Sequence, residues 1–350
     1  ASDQINPIRH LGIGRVLMAL TYGGEFTLKG GVEKPITPTN IQVDSQSAYG
    51  ASAVRPVRVA KDLVYVQRAG LKVRAFTYSA SDEDYDADDL TVLAEHITGA
   101  GIEGLCFQQE PTPLLHALRS DGVLATCTYS RAFGVTAWTR QSTDGEIESV
   151  CSIPVSGGEQ TWALVNRTVG GATVRYVERF DPTVGTDSSV SVTGAASATW
   201  GGLSHLVGET VRCIADGADQ GTFTVNGSGQ ITLPRTATSV QMGLDYTSTV
   251  RLLTPEMGTG EGTAQGNAMG IHEIALRFLD TYACSVNGRE LSFREFGSSL
   301  LDEPPPAFSG VKRLENLGWE IGSAPVEITS TSPLGFHVAA VIRKTTVNHG

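Results

Sequence analysis

Residues 101–143 read GIEGLCFQQEPTPLLHALRSDGVLATCTYSRAFGVTAWTRQST, and this stretch decides the fold. It contains four short runs rich in β-branched and aromatic residues, separated by turn residues, which is a pattern typical of β-hairpins. The runs are Ile102–Gln109, Leu114–Arg119, Val123–Tyr129 and Val135–Arg140. Four consecutive antiparallel strands form one small twisted sheet, which is too small to be stable alone. The stretch therefore predicts further sheets of the same kind.

The central hairpin of this stretch recurs through the first half of the chain. Each copy turns at a glycine, and the four turn glycines are Gly23, Gly70, Gly122 and Gly170. They are spaced 47, 52 and 48 residues apart. A period of about 50 residues with four strands per unit is typical of a β-propeller blade. Glycine suits these turns because it adopts the positive φ angles of tight hairpins.

The predicted fold class is all-β, a β-propeller-like array of four-stranded blades. A small β-barrel or sandwich domain is inserted into it, and a β-rich segment follows at the C-terminal end. The alternative is a β-sandwich, whose strands also recur at regular spacing. Because a sandwich gives no reason for the same hairpin to return every four strands, we favour the propeller.

The chain is expected to have three regions. Residues 1–182 carry the blades, and residues 183–253 form the inserted small β domain. Residues 254–350 comprise a linker and the C-terminal β-rich segment, which completes the propeller or a platform. One helical insertion is predicted near residues 87–98, because Leu90, Leu93, Ala94 and Ile97 share one helical face.

Composition limits the functions that the chain can have. The 350 residues include 26 Lys and Arg and 37 Asp and Glu, which gives a formal net charge of −11. This balance argues against tight binding to nucleic acid through its phosphates, which requires clustered basic residues. No apolar run reaches the roughly 18 residues of a membrane span. Because the chain starts only a few residues before a predicted blade strand, a fragment or a processed product of a longer polypeptide is expected.

The cysteines and the acidic run are the candidate metal ligands of the sequence. The five cysteines are scattered without zinc-ligand spacing, which favours a reducing compartment. Asp82, Asp84 and Asp86 alternate as in a calcium loop, but Ala87 and Leu93 stand where that loop needs Gly and Glu. These aspartates are a weak metal candidate, and a solvated helix N-terminus is the preferred interpretation. We identify no catalytic or cofactor-binding residue.

Several blocks of the sequence resemble a known family of viral proteins. The blocks are ASDQINPIRHL, LVYVQRAGLKVRAFTYS, DDLTVLAEHITGAGI, QQEPTPLLHALRSDGVLATCTYSR, GATVRYVERF and HEIALRFLDT. Together they are similar to the tail nozzle or tail-stabilisation proteins of short-tailed bacteriophages, also called tail tubular protein B. The resemblance runs through nearly the whole chain.

This resemblance implies a structural component of the virion, located in the tail and assembled in the cytoplasm of the bacterial host. The subunit is expected to form a homo-hexamer that contacts portal and adaptor proteins and tail fibres or tailspikes. Its ring would extend, plug and gate the DNA ejection channel, and DNA would pass without specific binding. Neither cofactors, nor membrane insertion, nor enzymatic activity is expected.

Two alternatives remain open at this point. The first is a tail module that binds a receptor, a glycan or a tail fibre, with Trp200 and Tyr246 of the inserted domain making the contact. The second is a hydrolase of cell-wall polysaccharide, since carboxylates that are distant in sequence can meet in space.

Overall fold

A computed structural model gives the architecture of the chain. It describes residues 6–31, 35–79, 83–256, 258–259, 262–264, 266–293, 304, 306–321 and 325–348. The chain divides into two compact units, Ala1–Asp181 and Pro182–Gly350. The described part is nearly all β, as the sequence predicts. It contains five four-stranded and two three-stranded antiparallel sheets and one two-stranded ribbon.

The first unit contains four sheets in chain order, which we call blades 1 to 4. Blade 1 consists of β1 (Ile8–Ile13), β2 (Leu17–Thr21), β3 (Glu25–Lys29) and β4 (Gln42–Ser47). Blade 2 consists of β5 (Val57–Val59), β6 (Asp62–Val66), β7 (Val73–Ser79) and β8 (Asp84–Asp89). Blade 3 consists of β9 (Ile102–Gln108), β10 (Leu114–Arg119), β11 (Leu124–Ser130) and β12 (Val135–Gln141). Blade 4 consists of β13 (Glu146–Val155), β14 (Gly158–Val169) and β15 (Ala172–Arg179). Each sheet pairs its strands in sequence order.

Consecutive blades pack face to face, and β6 shows how one strand serves two interfaces. Leu63 and Tyr65 belong to the apolar cluster shared with blade 1. Val64 and Val66, which point to the opposite face, belong to the cluster shared with blade 3. A third cluster joins blades 3 and 4. Blades 2 and 3 are therefore covered on both faces, whereas a two-layer sandwich buries only one face of each sheet. The first unit is a propeller-like array, and the sandwich alternative is wrong.

The turn glycines lie where the repeat predicts them, but they do not all have the same backbone conformation. Gly70, Gly122 and Gly170 have φ angles of 79°, 73° and 57°. Gly23 lies outside the positive-φ region, so the conformational explanation fails there. A Cβ at Gly23 would lie 2.4 Å from Oδ1 of Asn6, so a larger residue would displace the end of this side chain.

The predicted helix near residues 87–98 is mostly wrong. Residues Asp84–Asp89 of the acidic run form the edge strand β8, in which exposed Asp84, Asp86 and Asp88 alternate with buried Tyr85 and Ala87. Helix α1 covers only Glu95–Thr98. Leu93, which the helical face should bury, is 91% exposed. Residues 84–89 pair with β7 and bury Tyr85 and Ala87, so they are a strand and not the start of a helix. The only other helices described are two short 3-10 turns, Arg131–Phe133 and Ser204–Leu206.

The second unit begins with a small four-stranded sheet. Its strands are β16 (Asp187–Trp200), β17 (Thr210–Ala215), β18 (Ala218–Thr224) and β19 (Ile231–Leu244). They pair in the order β16-β19-β17-β18. The β17–β18 hairpin turns at Asp216 and Gly217, both with positive φ, as in a type I′ turn. The sequence-based end of this domain at residue 253 is too late, because the next strand pairs elsewhere.

Two packed sheets complete the second unit. The remaining strands are β20 (Ser248–Leu252), β21 (Gly258–Thr259), β22 (Gly262–Thr263), β23 (Ala268–Thr281), β24 (Ser285–Val286), β25 (Arg289–Glu290), β26 (Phe308–Ile321), β27 (Val326–Ser330) and β28 (Val338–Asn348). One sheet has the order β20-β27-β24-β25, and the other, which we call the C-terminal sheet, has the order β26-β23-β28. Ile274, Leu276 and Phe278 of β23 pack with Val326 and Ile328 of β27 in the core between them.

Candidate functional site

The face of blade 1 that points away from blade 2 is apolar and uncovered. Gly12 marks the opposite face, because a Cβ there would collide with the Leu63 side chain of blade 2. Ile13 on the uncovered face is 75% exposed. The cross-strand pairing defines this surface, the blade 1 end face, as Leu11, Ile13, Leu17, Ala19, Phe26, Leu28, Val43 and Ser45. Among the described residues of the first unit, no other sheet packs on this mostly apolar face.

At the other end of the array, no described sheet of the first unit packs on the face of blade 4 that points away from blade 3. Ala163 and Val165 of β14 point into the cluster with blade 3. Trp162 and Leu164 alternate with them along β14, so their side chains point to the opposite face of the sheet. The pairing defines the blade 4 end face as Ser149, Cys151, Ile153, Gln160, Trp162, Leu164, Val177 and Arg179, so apolar side chains lie here beside polar ones. Val177 is 69% exposed.

The two end faces are the main candidate for a functional surface. Contiguous apolar patches on a soluble protein commonly mark interaction sites. Covering such a surface gains about 25 cal/mol per Å² of apolar area removed from water. The sequence analysis missed these faces. Leu11 and Ile13 alternate with Gly12, so the sequence indicates that neither face of β1 is polar. It does not show which of the two faces is covered by another sheet.

Polar contacts fix the interior interfaces between blades. The Tyr129 hydroxyl of blade 3 donates to Oδ2 of Asp62 in blade 2 at 2.8 Å. Nε1 of Trp138 donates to the Leu90 carbonyl at 2.7 Å. The Thr161 hydroxyl of blade 4 donates to Oε1 of Gln108 at 2.7 Å. These bonds set the register between neighbouring sheets, because each of them joins two consecutive blades.

A buried histidine lies between blades 3 and 4. Nδ1 of His116 is 3.1 Å from the Thr126 hydroxyl, and its Nε2 is buried without a hydrogen-bond partner. The ring stacks on Phe180 with 6.1 Å between centroids. Burial lowers the pKa of His116 to about 4, so the ring is neutral at physiological pH. This histidine therefore serves packing between the two blades.

The described residues of the weak metal candidate Asp82, Asp84 and Asp86 do not form a metal site. Asp82 lies outside the described residues, and Asp84 and Asp86 are exposed on the edge strand β8. Within the described part of the chain, no group of three or more His, Cys, Asp and Glu side chains could hold a metal ion. Charged side chains along an edge strand discourage pairing with another chain, which accounts for the acidic run.

All five cysteines are free, and four of them are buried. Burial raises the pKa of Cys106 to about 11 and that of Cys127 to about 12. These thiols are therefore protonated and behave as small apolar side chains. Cys151 differs, because it is exposed on the blade 4 end face.

The second unit contains an open cleft of about 360 Å³ beside the β17–β18 turn. Its polar groups already have partners. The Asp216 carboxylate accepts hydrogen bonds from Thr238 and Ser239, and Oε1 of Gln241 accepts one from Gly185. Tyr246 lines an adjoining smaller cleft. Trp200, which the sequence analysis assigned to ligand contact, is buried and donates its Nε1–H to the Ser197 carbonyl.

Comparisons with known proteins leave the family open. No protein-family model matches the chain, and no curated protein matches it. Among solved structures, the chain is similar to an exo-β-1,3-galactanase from Phanerochaete chrysosporium that was crystallised with galactose. The identity is 14%, the alignment covers 95% of this chain and 78% of that chain, and the TM-score is 0.28.

This comparison corrects one expectation from the sequence. The chain was expected to lack enzymatic activity, but the aligned structure is a glycoside hydrolase. We therefore withdraw that expectation. At a TM-score of 0.28 the likeness carries no argument about a substrate or an active site in this chain.

None of the helices in the described part of the chain has the length and apolar composition needed to span a bilayer.

Proposed function

We propose that this chain is a structural subunit of the tail of a short-tailed bacteriophage, and that copies of it assemble into a ring. The observation that carries this proposal is the pair of uncovered end faces on blades 1 and 4. The sequence blocks that resemble tail nozzle proteins support the viral setting.

The proposed contact places the blade 1 end face of one copy against the blade 4 end face of the next. This packing repeats the face-to-face contact already present between consecutive blades. Because the two faces differ, the contact is heterologous, and such contacts generate closed rings or open filaments. The resemblance favours a closed hexamer.

The ring would extend, plug and gate the channel for DNA in the virion tail. Portal and adaptor proteins would adjoin it, and tail fibres or tailspikes would attach to it. An overall charge of −11 fits a channel wall that DNA passes without binding, because neutralising phosphates with basic side chains is what produces affinity. A basic lumen in an assembled ring would contradict this part of the proposal.

Single charged substitutions on the end faces test the assembly. Ile13→Asp and Val177→Asp each place a charge in the proposed contact, where an unpaired buried charge is strongly unfavourable. The control is Ile342→Asp on the C-terminal sheet, where Ile342 is similarly exposed. We expect light scattering and electron microscopy to show rings for the wild type and the control, and smaller species for both variants. Wild-type protein that stays monomeric at high micromolar concentration would refute the proposal.

A mixture of the two variants tests the head-to-tail geometry. The Ile13→Asp chain keeps an intact blade 4 end face, and the Val177→Asp chain keeps an intact blade 1 end face. The mixture should therefore form dimers that cannot grow, although each variant alone is monomeric. An isologous contact, in which each face meets its own copy, would instead leave one face of each variant able to form homodimers.

A module that binds glycans or tail fibres is the second candidate function. The aligned galactanase is a carbohydrate-active enzyme, but its low TM-score means that it adds no argument. Trp200 is buried and unable to make the predicted contact, whereas Tyr246 remains partly exposed. The observation that favours this candidate is a different aromatic side chain, Trp319 of the C-terminal sheet.

A further inference from the structure

Trp319 lies across a glycine on the open face of the C-terminal sheet. Gly270 of β23 pairs directly with Trp319 of β26. A Cβ at Gly270 would lie 2.6 Å from two indole carbons, Cδ2 and Cε2. The indole therefore covers the bare backbone of Gly270 and packs closely against it. The side chain is still 53% exposed, so a large part of the ring remains open to solvent.

Neighbouring side chains hold this indole in place. The His272 ring meets it edge-on, with 6.0 Å between centroids and 85° between planes. Nε2 of His272 lies 2.6 Å from the Thr346 hydroxyl of β28, which fixes the imidazole. Thr346 also pairs with Gly270 on the side opposite Trp319. Contacts from all three strands thus hold the indole in one orientation.

Hydrogen-bonding groups continue along the same face. Glu273 lies three residues beyond Gly270, at most about 10 Å along the strand. Its carboxylate binds Nζ of Lys344 at 2.5 Å and lies 3.6 Å from Nη1 of Arg313. Both cations are largely exposed, so their remaining N–H groups are available to a ligand. Glu315 pairs with Glu273 across the strands, and the four charges balance.

We propose that Trp319 is a stacking platform for a neutral pyranose, with Glu273, Lys344 and Arg313 binding hydroxyl groups of the same glycan. The C–H groups on one side of a pyranose carry partial positive charge, which suits the negative face of an indole. Carboxylate, ammonium and guanidinium groups make strong charge-assisted hydrogen bonds to hydroxyls. The balanced charge of this surface favours a neutral sugar over an anionic one. This inference rests on the second candidate function and is independent of ring assembly.

The surroundings of Trp319 favour a glycan over a protein partner. Protein interfaces bury a contiguous core with few charged residues. Here the aromatic ring is bordered by an imidazole, a hydroxyl and a cluster of charges, and the exposed apolar side chains Ile342 and Val311 lie farther along the face, beyond these charges. A ring fixed over a glycine also loses little conformational entropy on binding, which matters for a small ligand.

Titration with simple sugars tests the platform. The probes are methyl β-D-galactopyranoside, methyl α-D-mannopyranoside and a trisaccharide of each sugar, and the readout is the indole N–H resonances in NMR spectra. We expect millimolar binding of at least one trisaccharide, seen as a shift of the Trp319 resonance while buried Trp200 stays unchanged. Trp319→Ala should weaken binding at least tenfold. Val311→Ala, another exposed position on this sheet, is the control and should bind like the wild type.

Gly270→Ala gives a second test that leaves the tryptophan in place. Gly270 lies outside the positive-φ region, so alanine fits the backbone, but its Cβ displaces the indole. We expect the same loss of at least tenfold. The inference is overturned if no probe shifts the Trp319 resonance, or if Trp319→Ala binds sugar like the wild type. A change in assembly size with unchanged sugar binding would also overturn it and would identify a subunit contact.

Discussion

Ile147 donates its backbone N–H to the carbonyl of Gly122 at 2.9 Å, and Ile102 makes the same bond to Gly70 at 2.8 Å. In both cases the first strand of one blade begins at the hairpin turn of the blade before it. The turn glycine therefore has two roles. It closes its own hairpin, and its carbonyl accepts a hydrogen bond from the first strand of the next blade. This junction explains why the glycines recur at a nearly constant interval.

Alanine at Gly122 should destabilise the first unit. Its φ of 73° is unfavourable for any residue with a Cβ, at a cost of about 1–2 kcal/mol. The new Cβ would also lie 2.6 Å from Cβ and 2.8 Å from Cα of Glu146. Such overpacking costs a further 1–3 kcal/mol, roughly. We expect urea denaturation to show a loss of about 2–5 kcal/mol in the free energy of unfolding.

Gly70→Ala is the matched control for this prediction. Gly70 has a φ of 79°, but a Cβ there would have no other atom within 4 Å. Only the backbone cost of about 1–2 kcal/mol should appear. If both variants lose the same stability, close approach between blades 3 and 4 is not the reason for glycine at position 122.

The buried ion pair of blade 4 should be sensitive to removal of one partner. Nε and Nη2 of Arg167 each donate to the Glu178 carboxylate at 2.7 Å, and Nη1 donates to the Asp144 carbonyl. Arg167 is fully buried. Arg167→Met leaves the Glu178 carboxylate without its partner; because that side chain is still 21% exposed, water offsets part of the loss, and the cost should be about 2–3 kcal/mol of unfolding free energy. The double variant with Glu178→Leu should recover most of it, because an apolar pair replaces the ionic one.

An exposed ion pair on the same sheet provides the comparison. Arg175 donates to Glu148 through two hydrogen bonds of 2.7 and 2.9 Å, so its geometry matches that of Arg167. Because both side chains are solvated, Arg175→Met should have a much smaller effect that decreases further with added salt. Equal losses for the two arginine variants would show that burial does not decide the effect.

His116 should make stability depend on pH below neutrality. Its pKa is about 4 in the folded chain, and about 6.5 in an unfolded one. Because the unfolded state binds the proton more readily, stability falls as the pH drops from 6.5 to 4. The full effect is about 3 kcal/mol at the acidic end. His116→Gln should flatten this part of the stability curve.

His96→Gln controls for the removal of a histidine, because His96 is exposed on α1. Carboxylates such as Asp121 and Glu273 have lowered pKa values, so all variants lose some stability in acid. The difference between the slopes of the two variants isolates His116. Identical slopes from pH 4 to 6.5 would contradict a neutral buried imidazole.

The hairpins of the blades were predictable because their signal is local. Period-two alternation and a turn glycine are enough to place β10 and β11, for example. The segment from Leu90 to Ile97 was not, because its apolar spacing also fits a helix. The segment instead forms turns from Leu90 to Leu93, where the Leu90 N–H donates to the Val73 carbonyl of a neighbouring strand, and only Glu95–Thr98 is helical.

The candidate surfaces depend on contacts between distant residues, which sequence patterns do not contain. Gly270 and Trp319 pair across two strands that are far apart in the chain. Trp200 and Trp319 are both aromatic residues in strands, yet one is buried and the other is exposed. Only the order of strands in each sheet distinguishes them. The end faces likewise follow from which sheets have neighbours.

The thiol of Cys151 should report whether the blade 4 end face is covered. In the isolated chain Cys151 is the exposed cysteine, whereas the other four are buried and protonated at neutral pH. A thiol reagent should therefore label one cysteine per folded monomer and five after unfolding. In the proposed ring, the neighbouring blade 1 end face covers Cys151, so labelling should slow as the ring forms. Ile13→Asp should restore fast labelling, and Cys151→Ala should abolish it. Equally fast labelling of Cys151 in rings and monomers would place the subunit contact on another face.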